Sequence, residues 1–332
     1  SGCARCLSNC YYDVKTMLYG QCIERKRNML ITMKKLLDVA KKEGGFAVPA
    51  PNVFSMETTE AAYQAAREMQ APVILNVWDA GAEWIEKQAN LALYFEKKYP
   101  DVIAALNLDH GQSYDSEVAA IRSGFTSVMS DRSMMPFEQN VEQVKRIVDT
   151  AHAVNVSVEA ELGHVGQGYE YEQTRDAWLT NPDEAVAYVE QTQCDCLAVA
   201  VGTSHGAYKG TPRLDFALLE TLNSLVSVPL VLHGGSGTGD ENLAKAVAVG
   251  IQKVNLCTDL MDAYERKAKE KDKTSGEFLE IYEAGVQGWK EELMRYMELF
   301  SAKGKAVLYQ EHLSRAEGLY YHVKDENFTV QK

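Results

Sequence analysis

The sequence lacks both a long apolar run and an excess of basic residues. No stretch reaches the roughly 18 apolar residues that a membrane-spanning helix needs, so we expect no transmembrane segment. The 47 Asp and Glu residues outnumber the 34 Lys and Arg residues, which gives a formal net charge of -13. A chain of this charge repels the phosphates of nucleic acids and anionic membrane surfaces. We therefore expect neither nucleic acid nor a membrane among its partners.

Cysteine is scarce in the body of the chain. Four of the seven cysteines lie within the first 22 residues, and no second cysteine or histidine pair follows "CARCLSNC" at the spacing of a zinc module. This segment also lacks the apolar core of a secretion signal, so we predict that residues 1–30 are an extension outside the fold. Cys194, Cys196 and Cys257 lie in apolar, strand-like surroundings, which is typical of a cytoplasmic protein.

Linkers rich in glycine, proline or serine are absent as well, which favours one domain with appendages over two domains. From residue 32 onward, short apolar runs alternate with amphipathic stretches. Eight of these runs are rich in Val, Ile, Leu and Ala, as are strands buried on both faces of a parallel sheet. The strand candidates are residues 46–52, 71–77, 102–109, 126–131, 156–162, 196–203, 228–234 and 252–258.

The stretches between the strand candidates have apolar residues at helical spacing. The clearest of them are residues 56–69, 136–153, 181–193 and 240–250. Eight strands alternating with helices predict a (β/α)8 TIM barrel, a fold of about 250 residues, and a doubly wound open sheet is the alternative. A charged helical stretch over residues 260–299 either covers the barrel or forms a subunit contact. The barrel with its C-terminal helices is predicted to span residues 31–310, followed by a tail over 311–332.

Three of the seven histidines lie at the ends of predicted strands. His110 ends the third strand, His205 follows the sixth and His233 ends the seventh. The carboxyl ends of barrel strands meet at one face, so these imidazoles can converge on one ion. Three histidines with an open position form a catalytic zinc site, and we predict one Zn²⁺ per chain. Structural roles are predicted for the other histidines, which are His152, His164, His312 and His322.

Glycine-rich turns follow the sixth and seventh strands, as "VGTSHG" and "HGGSG". Such turns expose backbone N–H groups and let a ligand approach the backbone closely. Phosphate sites of these barrels commonly use the loops after strands 7 and 8 and a nearby helix N-terminus. Gly234, Ser236 and Thr258, with the amide of Asp259, fit this description and predict a phosphate site.

Seven motifs occur in a fixed order between about residue 33 and residue 306. They are "LLDVAKKEGGFAVPAPNV", "LDHG", "GFTSVMSDRS", "VEAELG", "VGTSHGAYKG", "LHGGSG" and "KVNLCTD". Together they resemble the class II, metal-dependent ketose-bisphosphate aldolases, the family of fructose- and tagatose-bisphosphate aldolases. The resemblance implies a lyase of carbohydrate metabolism, as in glycolysis, that cleaves a ketose 1,6-bisphosphate reversibly to dihydroxyacetone phosphate and an aldehyde. Fructose 1,6-bisphosphate is the first expectation, and relatives suggest a homodimer or homotetramer.

The resemblance implies a role for each matching residue. His110, His205 and His233 would hold the metal ion, and Asp109 would move the proton of the substrate's C4 hydroxyl. The chemistry agrees, because cleaving a C–C bond next to a ketone builds negative charge on the carbonyl oxygen, which a divalent metal can accept. The hydroxyl must lose its proton at the same time, which requires a base within hydrogen-bond reach. Asn255 would hold the resulting enediolate.

Further roles follow from the same resemblance. The substrate contacts, most of them around the C1 phosphate, would be Asn52, Gly206, Lys209, Gly234, Ser236, Asn255 and Thr258. Asp131 and Glu161 stand where the family places alternative or indirect metal ligands, and a buried ion pair is the other interpretation. The loop after strand 5 would supply the acid for the dihydroxyacetone-phosphate carbon, for which we predict Glu170, with Glu172 as the alternative. A monovalent cation is a further candidate cofactor.

Several positions depart from the family pattern and leave the aldehyde half of the substrate open. Cys257 stands where fructose-specific members often have Asp and tagatose-type members have Ala. The second strand ends at Trp78, where many members have a nearby Ser-Arg-Gly. Arg132 replaces the glycine of the Asp-Gly-Ser that follows the fourth strand. Residues 275–293 lack the arginine that usually meets the distal phosphate. The alternatives are a tagatose bisphosphate or a ketose 1-phosphate without the distal phosphate. Otherwise Arg132, Lys290 or a partner chain must supply the cation.

A metal-dependent hydrolase on the same barrel is the alternative outside the aldolases. It would need a metal-bridging lysine or a water-activating aspartate at the eighth strand. Asp259 lies past the end of that strand, so the sequence favours the aldolase.

Overall fold

A computed structural model describes residues 30–206, 208 and 212–309. In these residues, eight strands alternate with helices along the chain. The strands are β1 (Val48–Pro51), β2 (Val73–Trp78), β3 (Ala104–Gly111), β4 (Ser127–Ser130), β5 (Ser157–Leu162), β6 (Cys196–Val199), β7 (Leu230–Leu232) and β8 (Ile251–Leu256). The helices are α1 (Met33–Glu43), α2 (Met56–Met69), α3 (Ala82–Lys98), α4 (Tyr114–Ser123), α5 (Phe137–His152), α6 (Tyr171–Thr174), α7 (Pro182–Thr192), α8 (Phe216–Leu225), α9 (Asp240–Val249), α10 (Thr258–Asp272) and α11 (Phe278–Leu299), with a 3-10 turn at Gly168–Glu170.

The strands form a nearly closed parallel barrel. They pair in the order β1-β8-β7-β6-β5-β4-β3-β2, and every pair is parallel. Between β1 and β2, an isolated bridge joins Asn52 to Asn76, and the Val53 amide donates to the Asn76 carbonyl oxygen at 2.9 Å. This arrangement confirms the predicted TIM barrel and excludes the doubly wound open sheet.

Helix α1 closes the N-terminal end of the barrel. Leu36 and Leu37 are fully buried, and the helix contacts β1, β3, β5 and β8, which lie around the ring. Its apolar face joins an interior cluster that includes Val48, Ile74 and Val231. Because this end is filled by apolar side chains, the carboxyl ends of the strands are the place for a site.

All eight predicted strands and the four clearest predicted helices occur in the structure, but several of them begin or end at other residues. The helix over 56–69 is found unchanged, whereas β3 continues to Gly111 and β6 already ends at Val199. Leu30, the last residue of the predicted extension, forms an isolated bridge with Ala104 and so contacts the barrel. The rest of that extension and the predicted tail lie outside the described residues.

The charged stretch after β8 forms two helices, α10 and α11, as expected for the predicted C-terminal helices. Gly276 takes a φ of 67° in the turn between α10 and α11, a conformation that a helix cannot continue through. Helix α11 packs against α10, α2 and β1, with Trp289 and Leu293 fully buried, so the stretch covers the barrel. None of the helices in the described ranges has an apolar run long enough to cross a bilayer.

Candidate active site

The three histidines predicted as metal ligands lie together at the carboxyl ends of the strands. His110 belongs to β3, His205 follows β6 and His233 follows β7. Their ring centroids are separated by 4.7 Å (His110–His233), 5.0 Å (His110–His205) and 5.7 Å (His205–His233). One ring nitrogen of each histidine lies within 4.8 Å of the others. The fold thus brings together three imidazoles that are far apart in the sequence.

The backbone of β3 is irregular where it presents His110. The β3–β4 register shifts between Leu108 and Gly111, as in a β-bulge, and His110 has a left-handed φ of 53°. A Cβ on Gly111 would lie 2.6 Å from the Met129 carbonyl oxygen and 2.8 Å from Glu117 Cγ, so only glycine fits there. A bulge of this kind redirects one side chain, here toward the other two histidines.

Asp131, directly after β4, orients His110. Its Oδ2 lies 2.8 Å from His110 Nδ1, and its Oδ1 accepts hydrogen bonds from the Ser133 amide (3.0 Å) and hydroxyl (2.7 Å). Burial by itself would lower the pKa of His110, but Asp109, Asp131 and Glu161 outweigh it and raise that pKa to about 10. The surroundings of His110 therefore favour a positive charge, which a metal ion supplies when it displaces the proton.

A buried ion pair fixes His233. His233 Nε2 lies 2.8 Å from Glu159 Oε1, and Lys253 Nζ donates to Glu159 Oε2 at 2.6 Å. All three side chains are 0% exposed, so their charges are not screened by water. Burial would raise the pKa of Glu159, but Lys253 and His233 outweigh it and lower the pKa, so Glu159 is a carboxylate. A carboxylate on Nε2 fixes the tautomer of His233 and leaves Nδ1 free to bind a metal.

The nitrogen atoms of this cluster fit a tetrahedral metal ion. His110 Nε2 and His233 Nδ1 are 3.0 Å apart. Two ligands of a tetrahedral ion with metal–nitrogen bonds of about 2.1 Å lie about 3.4 Å apart, so a small adjustment suffices. Burial and the two neighbouring imidazoles lower the pKa of His205 to about 3, so its ring is neutral and able to bind a metal. This donor set fits the predicted metal centre.

Asp109 lies beside the histidines as a buried carboxylate. Asn52 Nδ2 donates to its Oδ2 at 2.8 Å, and Asn255 Nδ2 donates to its Oδ1 at 3.1 Å. Burial would raise the pKa of Asp109, but the charges of His110, His233 and Lys253 and the Asn52 hydrogen bond outweigh it and lower the pKa to about 2. The group is therefore ionised at neutral pH and available as a proton acceptor.

Asp131 and Glu161 form a second candidate group with His110, in which the ligand atoms also lie within 4.8 Å of one another. Glu161 Oε1 accepts a hydrogen bond from the Val165 amide at 3.1 Å, and Oε2 has no hydrogen-bond partner in the described part of the chain. Burial and the charge of Asp131 raise the pKa of Glu161 to about 8. No lysine or arginine among the described residues pairs with Glu161, whereas His164 Nδ1 lies 3.8 Å from its Oε1.

One side of the cavity beside the histidines suits a phosphate group. The cavity has a volume of about 240 Å³, and Gly206, Gly234, Ser236 and Thr258 line this side. Gly234 has a φ of 66°, and a Cβ there would lie 2.3 Å from a backbone carbonyl oxygen of the preceding loop. Thr258 begins the 15-residue helix α10, whose N-terminal amides and dipole attract anions. Lys209, predicted to join this group, lies outside the described residues.

Trp78 and Cys257 also line the cavity. Trp78 ends β2 and pairs in register with Asp109 of β3. It stacks on Trp84, with ring centroids 5.3 Å apart and an interplanar angle of 22°. Two positions that depart from the family pattern therefore contact the same cavity.

The two cations suggested for a distal phosphate do not reach this cavity, so both suggestions are wrong for a single chain. Arg132 is buried, and its Nη2 donates to Glu117 Oε1 at 2.8 Å. Lys290 pairs with Glu68, between helices α11 and α2 on the outside of the barrel. Within the described residues, no lysine or arginine lines the cavity. Each of these two cations is bound instead by a carboxylate, which the sequence pattern did not identify as its partner.

The two loop glutamates lie in the segment between β5 and α7. Glu172 is engaged by Arg213, whose Nη2 lies 3.2 Å from Glu172 Oε2, and Glu170 is exposed. Tyr171 between them is buried and donates from its hydroxyl to the Gly202 carbonyl oxygen at 3.0 Å. Neither glutamate lines the cavity in this conformation, so the assignment of Glu170 stays a prediction.

Sequence reasoning missed the role of Lys253 and Glu159. Glu159 was visible as an acid within an apolar strand, and Lys253 as a lysine within another, but their pairing across the barrel was not. A lysine in a strand that is otherwise buried on both faces is the signal that could have identified it, because a buried ammonium group needs a partner.

Lys253→Met is expected to lower the free energy of unfolding by about 3–5 kcal/mol, because it leaves the buried Glu159 without its cation. Chemical denaturation of this variant and wild type measures the loss. Lys34→Met removes an exposed ion pair with Asp38, and this control is expected to cost less than about 1 kcal/mol. Equal losses in the two variants would contradict a structural role for the buried pair.

A family model and a curated relative with similar sequences both point to the same enzyme family. The family model described as "Fructose-bisphosphate aldolase class-II" matches residues 31–305. A fructose-bisphosphate aldolase from Thermus caldophilus is 40% identical over 309 residues, which cover 84% of this chain and 100% of that protein.

Solved structures agree with this match. The YdjI aldolase from Escherichia coli K12 superposes with a TM-score of 0.74 at 31% identity, covering 83% of this chain and 99% of that one. The fructose-bisphosphate aldolase from Campylobacter jejuni, at 22% identity and a TM-score of 0.71, covers 83% of this chain and 97% of that one, and shares the fold.

Proposed function

Since the chain belongs to the class II fructose-bisphosphate aldolase family, we propose that it cleaves a ketose 1,6-bisphosphate reversibly to dihydroxyacetone phosphate and an aldehyde. Fructose 1,6-bisphosphate is the first candidate substrate. The observation that carries the proposal is the convergence of three histidines and an ionised Asp109 beside a cradle that suits a phosphate. The enzyme is a carbon–carbon lyase.

We propose zinc as the metal, one ion per chain, held by His110, His205 and His233. Three imidazoles suit zinc, and the approach of His110 Nε2 to His233 Nδ1 supports a tetrahedral ion. When bound, the ion accepts the negative charge that develops on the ketone oxygen of the substrate. Asp131 and Glu161, with His110, are proposed as the alternative position of the ion or as the groups that orient its ligands.

Asp109 is proposed to accept the proton of the C4 hydroxyl. As that proton leaves, C4 becomes the carbonyl carbon of the aldehyde, the C3–C4 bond breaks, and its electron pair stays on the dihydroxyacetone-phosphate half. Asn52 and Asn255 support this step, because both amides donate to the Asp109 carboxylate and hold it in place. Asn255 Nδ2 also lies 3.2 Å from the His233 ring, between the acid and the histidines. Glu170 is proposed to return a proton to C3.

The C1 phosphate is proposed to lie against Gly206, Gly234, Ser236 and the N-terminus of α10 at Thr258. The glycine turns and the helix amides support this placement, since they supply N–H donors in a chain whose net charge is -13. Lys209 is proposed as an additional contact from sequence alone.

A ketose 1-phosphate without the distal phosphate is the second candidate substrate. The cavity lining supports it, because it includes Trp78 and Cys257 but no described lysine or arginine, and Arg132 and Lys290 are engaged by carboxylates elsewhere. A tagatose bisphosphate differs in the configuration at C4 and remains an alternative. A hydrolase is not retained, because the family is one of aldolases and Lys253 is paired with Glu159 rather than placed to bridge metals.

A substrate panel tests the proposal. Fructose 1,6-bisphosphate, tagatose 1,6-bisphosphate and ketose 1-phosphates are incubated with the enzyme, with and without EDTA, and dihydroxyacetone phosphate is measured. We expect at least one ketose phosphate to be cleaved and cleavage to stop on chelation. Cleavage that survives EDTA would exclude the metal-dependent reaction, and the preferred member of the panel identifies the aldehyde half.

Trp78→Ala is expected to lower kcat/KM for the preferred ketose roughly 10- to 100-fold, because an apolar contact of an aromatic side chain is worth about 1.5–3 kcal/mol. Hydrogen exchange at C3 of dihydroxyacetone phosphate involves no aldehyde, so its rate is expected to stay within about twofold of wild type. Tyr94→Ala, at an exposed aromatic on α3, is the control. A parallel loss of exchange in the Trp78 variant would contradict the assignment of Trp78 to the aldehyde half.

We further propose a cytoplasmic homodimer or homotetramer without nucleic acid or membrane partners, formed by one domain over residues 31–310. The free thiols of Cys194, Cys196 and Cys257 support a reducing compartment. Exposed apolar side chains at the start of α11, Phe278 and Leu279, support a subunit contact. Light scattering after gel filtration measures the oligomer, and a monomer would contradict this part of the proposal.

A further inference from the structure

Arg132 and Glu117 form a buried ion pair directly behind the histidine cluster. Arg132 Nη2 donates to Glu117 Oε1 at 2.8 Å, and the two side chains are 6% and 1% exposed. Glu117 lies in the first turns of α4, and Arg132 follows Asp131 after β4. A buried arginine needs compensating partners, since unpaired buried charges are strongly unfavourable. The remaining N–H donors of this guanidinium also need acceptors.

The second arm of the guanidinium binds backbone on both neighbouring strands. Arg132 Nη1 donates to the Gly111 carbonyl oxygen at 2.8 Å and to the Asp131 carbonyl oxygen at 2.9 Å. Gly111 follows His110 in the chain, and Asp131 orients the His110 ring through Nδ1. One planar group therefore joins the backbone next to a predicted metal ligand to the backbone of the acid that orients it.

The backbone at this point needs such support. His110 has a left-handed φ of 53°, which is unfavourable for a residue with a Cβ atom. The irregular β3–β4 register between Leu108 and Gly111 interrupts regular strand pairing on the same segment. A side chain that binds Gly111 and Asp131 at once can hold the two strand ends at a fixed separation.

We infer that Arg132, with Glu117 as its counter-charge, is a positioning residue that keeps His110 and Asp131 in the geometry required to bind the metal. The inference rests on the proposed function, because it gives these residues a role toward the proposed metal site. Arg132 touches neither the cavity nor the other two histidines, so it acts only through the residues that it holds.

Metal binding by the full-length protein tests the inference. Four variants are compared with wild type: Arg132→Lys, Arg132→Met, the double variant Arg132→Met/Glu117→Met, and Arg122→Met as a control. Arg122 is an exposed arginine on the same helix as Glu117. The double variant removes both charges, so no unpaired charge stays buried and the fold is expected to be retained. Zn²⁺ affinity is measured by competition with a chromophoric chelator, and the visible spectrum of Co²⁺-loaded protein reports the ligand geometry.

We expect Arg132→Met and the double variant to bind Zn²⁺ roughly 10- to 100-fold more weakly than wild type, with an altered Co²⁺ spectrum, as when an outer partner of a metal ligand is lost. Arg132→Lys keeps the charge, but an ammonium group cannot bind two carbonyl oxygens and a carboxylate at once as the planar guanidinium does. Its Zn²⁺ affinity is expected to lie between those of wild type and Arg132→Met. Arg122→Met should match wild type in both measurements.

Two outcomes would overturn the inference. A double variant with wild-type Zn²⁺ affinity and Co²⁺ spectrum would show that the pair serves stability alone. Full affinity in Arg132→Lys would show that the fork-like contacts to Gly111 and Asp131 are not needed. Failure of the proposed function would look different, because wild type itself would then bind no ion at the histidines or would cleave no ketose phosphate.

Discussion

Replacing Asp109 by alanine is expected to lower kcat for ketose cleavage by roughly 10²- to 10⁴-fold, the usual contribution of a positioned general base. The carboxylate is held by Asn52 and Asn255, and its pKa of about 2 keeps it ionised throughout the neutral range. No other described carboxylate lines the cavity, so none can take over the C4 proton. Metal content should stay near one ion per chain, because Asp109 is not among the three proposed ligands.

Steady-state kinetics and metal analysis on the same preparation check this prediction. Asp101→Ala removes an exposed acid that pairs with Arg67 and serves as the control, with activity expected within about twofold of wild type. Turnover that survives in Asp109→Ala would assign the proton to another group. Loss of the metal together with turnover would instead make Asp109 a part of the metal site.

Replacing His205 by alanine is expected to abolish tight metal binding and, with it, cleavage. His205 is the most informative ligand to remove, because His110 and His233 are also held by Asp131 and Glu159. Loss of either would leave a partly buried (Asp131) or fully buried (Glu159) carboxylate without its partner. Loss of an outer partner weakens metal binding about 10- to 100-fold, and loss of a ligand should exceed that.

Elemental analysis after dialysis and activity at saturating Zn²⁺ check the His205 variant. His152→Gln is the control, since His152 pairs with Asp195 at the end of α5, away from the cavity. We expect metal near zero in the His205 variant and near one ion per chain in the control. Equal metal content in both would contradict the assignment of the ion to the three histidines.

The sequence was most informative where a single rule of barrel geometry applies. Near-continuous apolar runs mark strands buried on both faces, and the carboxyl ends of such strands meet at one face. That rule alone is enough to place His110, His205 and His233 together. Their ring separations of 4.7 to 5.7 Å agree with that prediction.

The local backbone at His110 could not be predicted, because a left-handed φ is uncommon for any residue with a Cβ atom and no sequence pattern marks this histidine as an exception. The ends of β6 and β7 were also predicted too late. The predicted strands ran on through "AVGT" and "HG", but glycines at positive φ in these segments turn the chain away from the sheet. Gly202 and Gly234 both take such values.

Pairing across space was the other limit of sequence reasoning. Arg132 looked available for a distal phosphate, yet Glu117, 15 residues earlier on a helix, neutralises it. Lys253 and Glu159 are 94 residues apart and meet only because β5 and β8 contribute side chains to the same barrel interior. Sequence alone gives the charge of such residues but not the partner that determines whether the charge is available to a substrate.

Whether the aldehyde half of the substrate carries a phosphate depends likewise on which cationic side chains are available to bind it. With Arg132 and Lys290 engaged elsewhere, a phosphorylated aldehyde requires a cation from outside the described residues, such as one from a partner chain. An aldehyde without phosphate requires no cation, and the uncharged side chains of Trp78 and Cys257 in the cavity lining suit it. The substrate panel therefore distinguishes the two candidate substrates, and the Trp78 variant tests independently whether Trp78 contacts the aldehyde half.

Zinc titration of the metal-free enzyme tests the central claim most directly. Protein stripped with a chelator is titrated with Zn²⁺ while cleavage of the preferred ketose phosphate is followed. The three-histidine site predicts no cleavage without metal and a linear rise that ends at one equivalent per chain, with no rise in the His205→Ala variant over the same range. Full cleavage by the metal-free protein, or the same titration curve for His205→Ala, would contradict the claim.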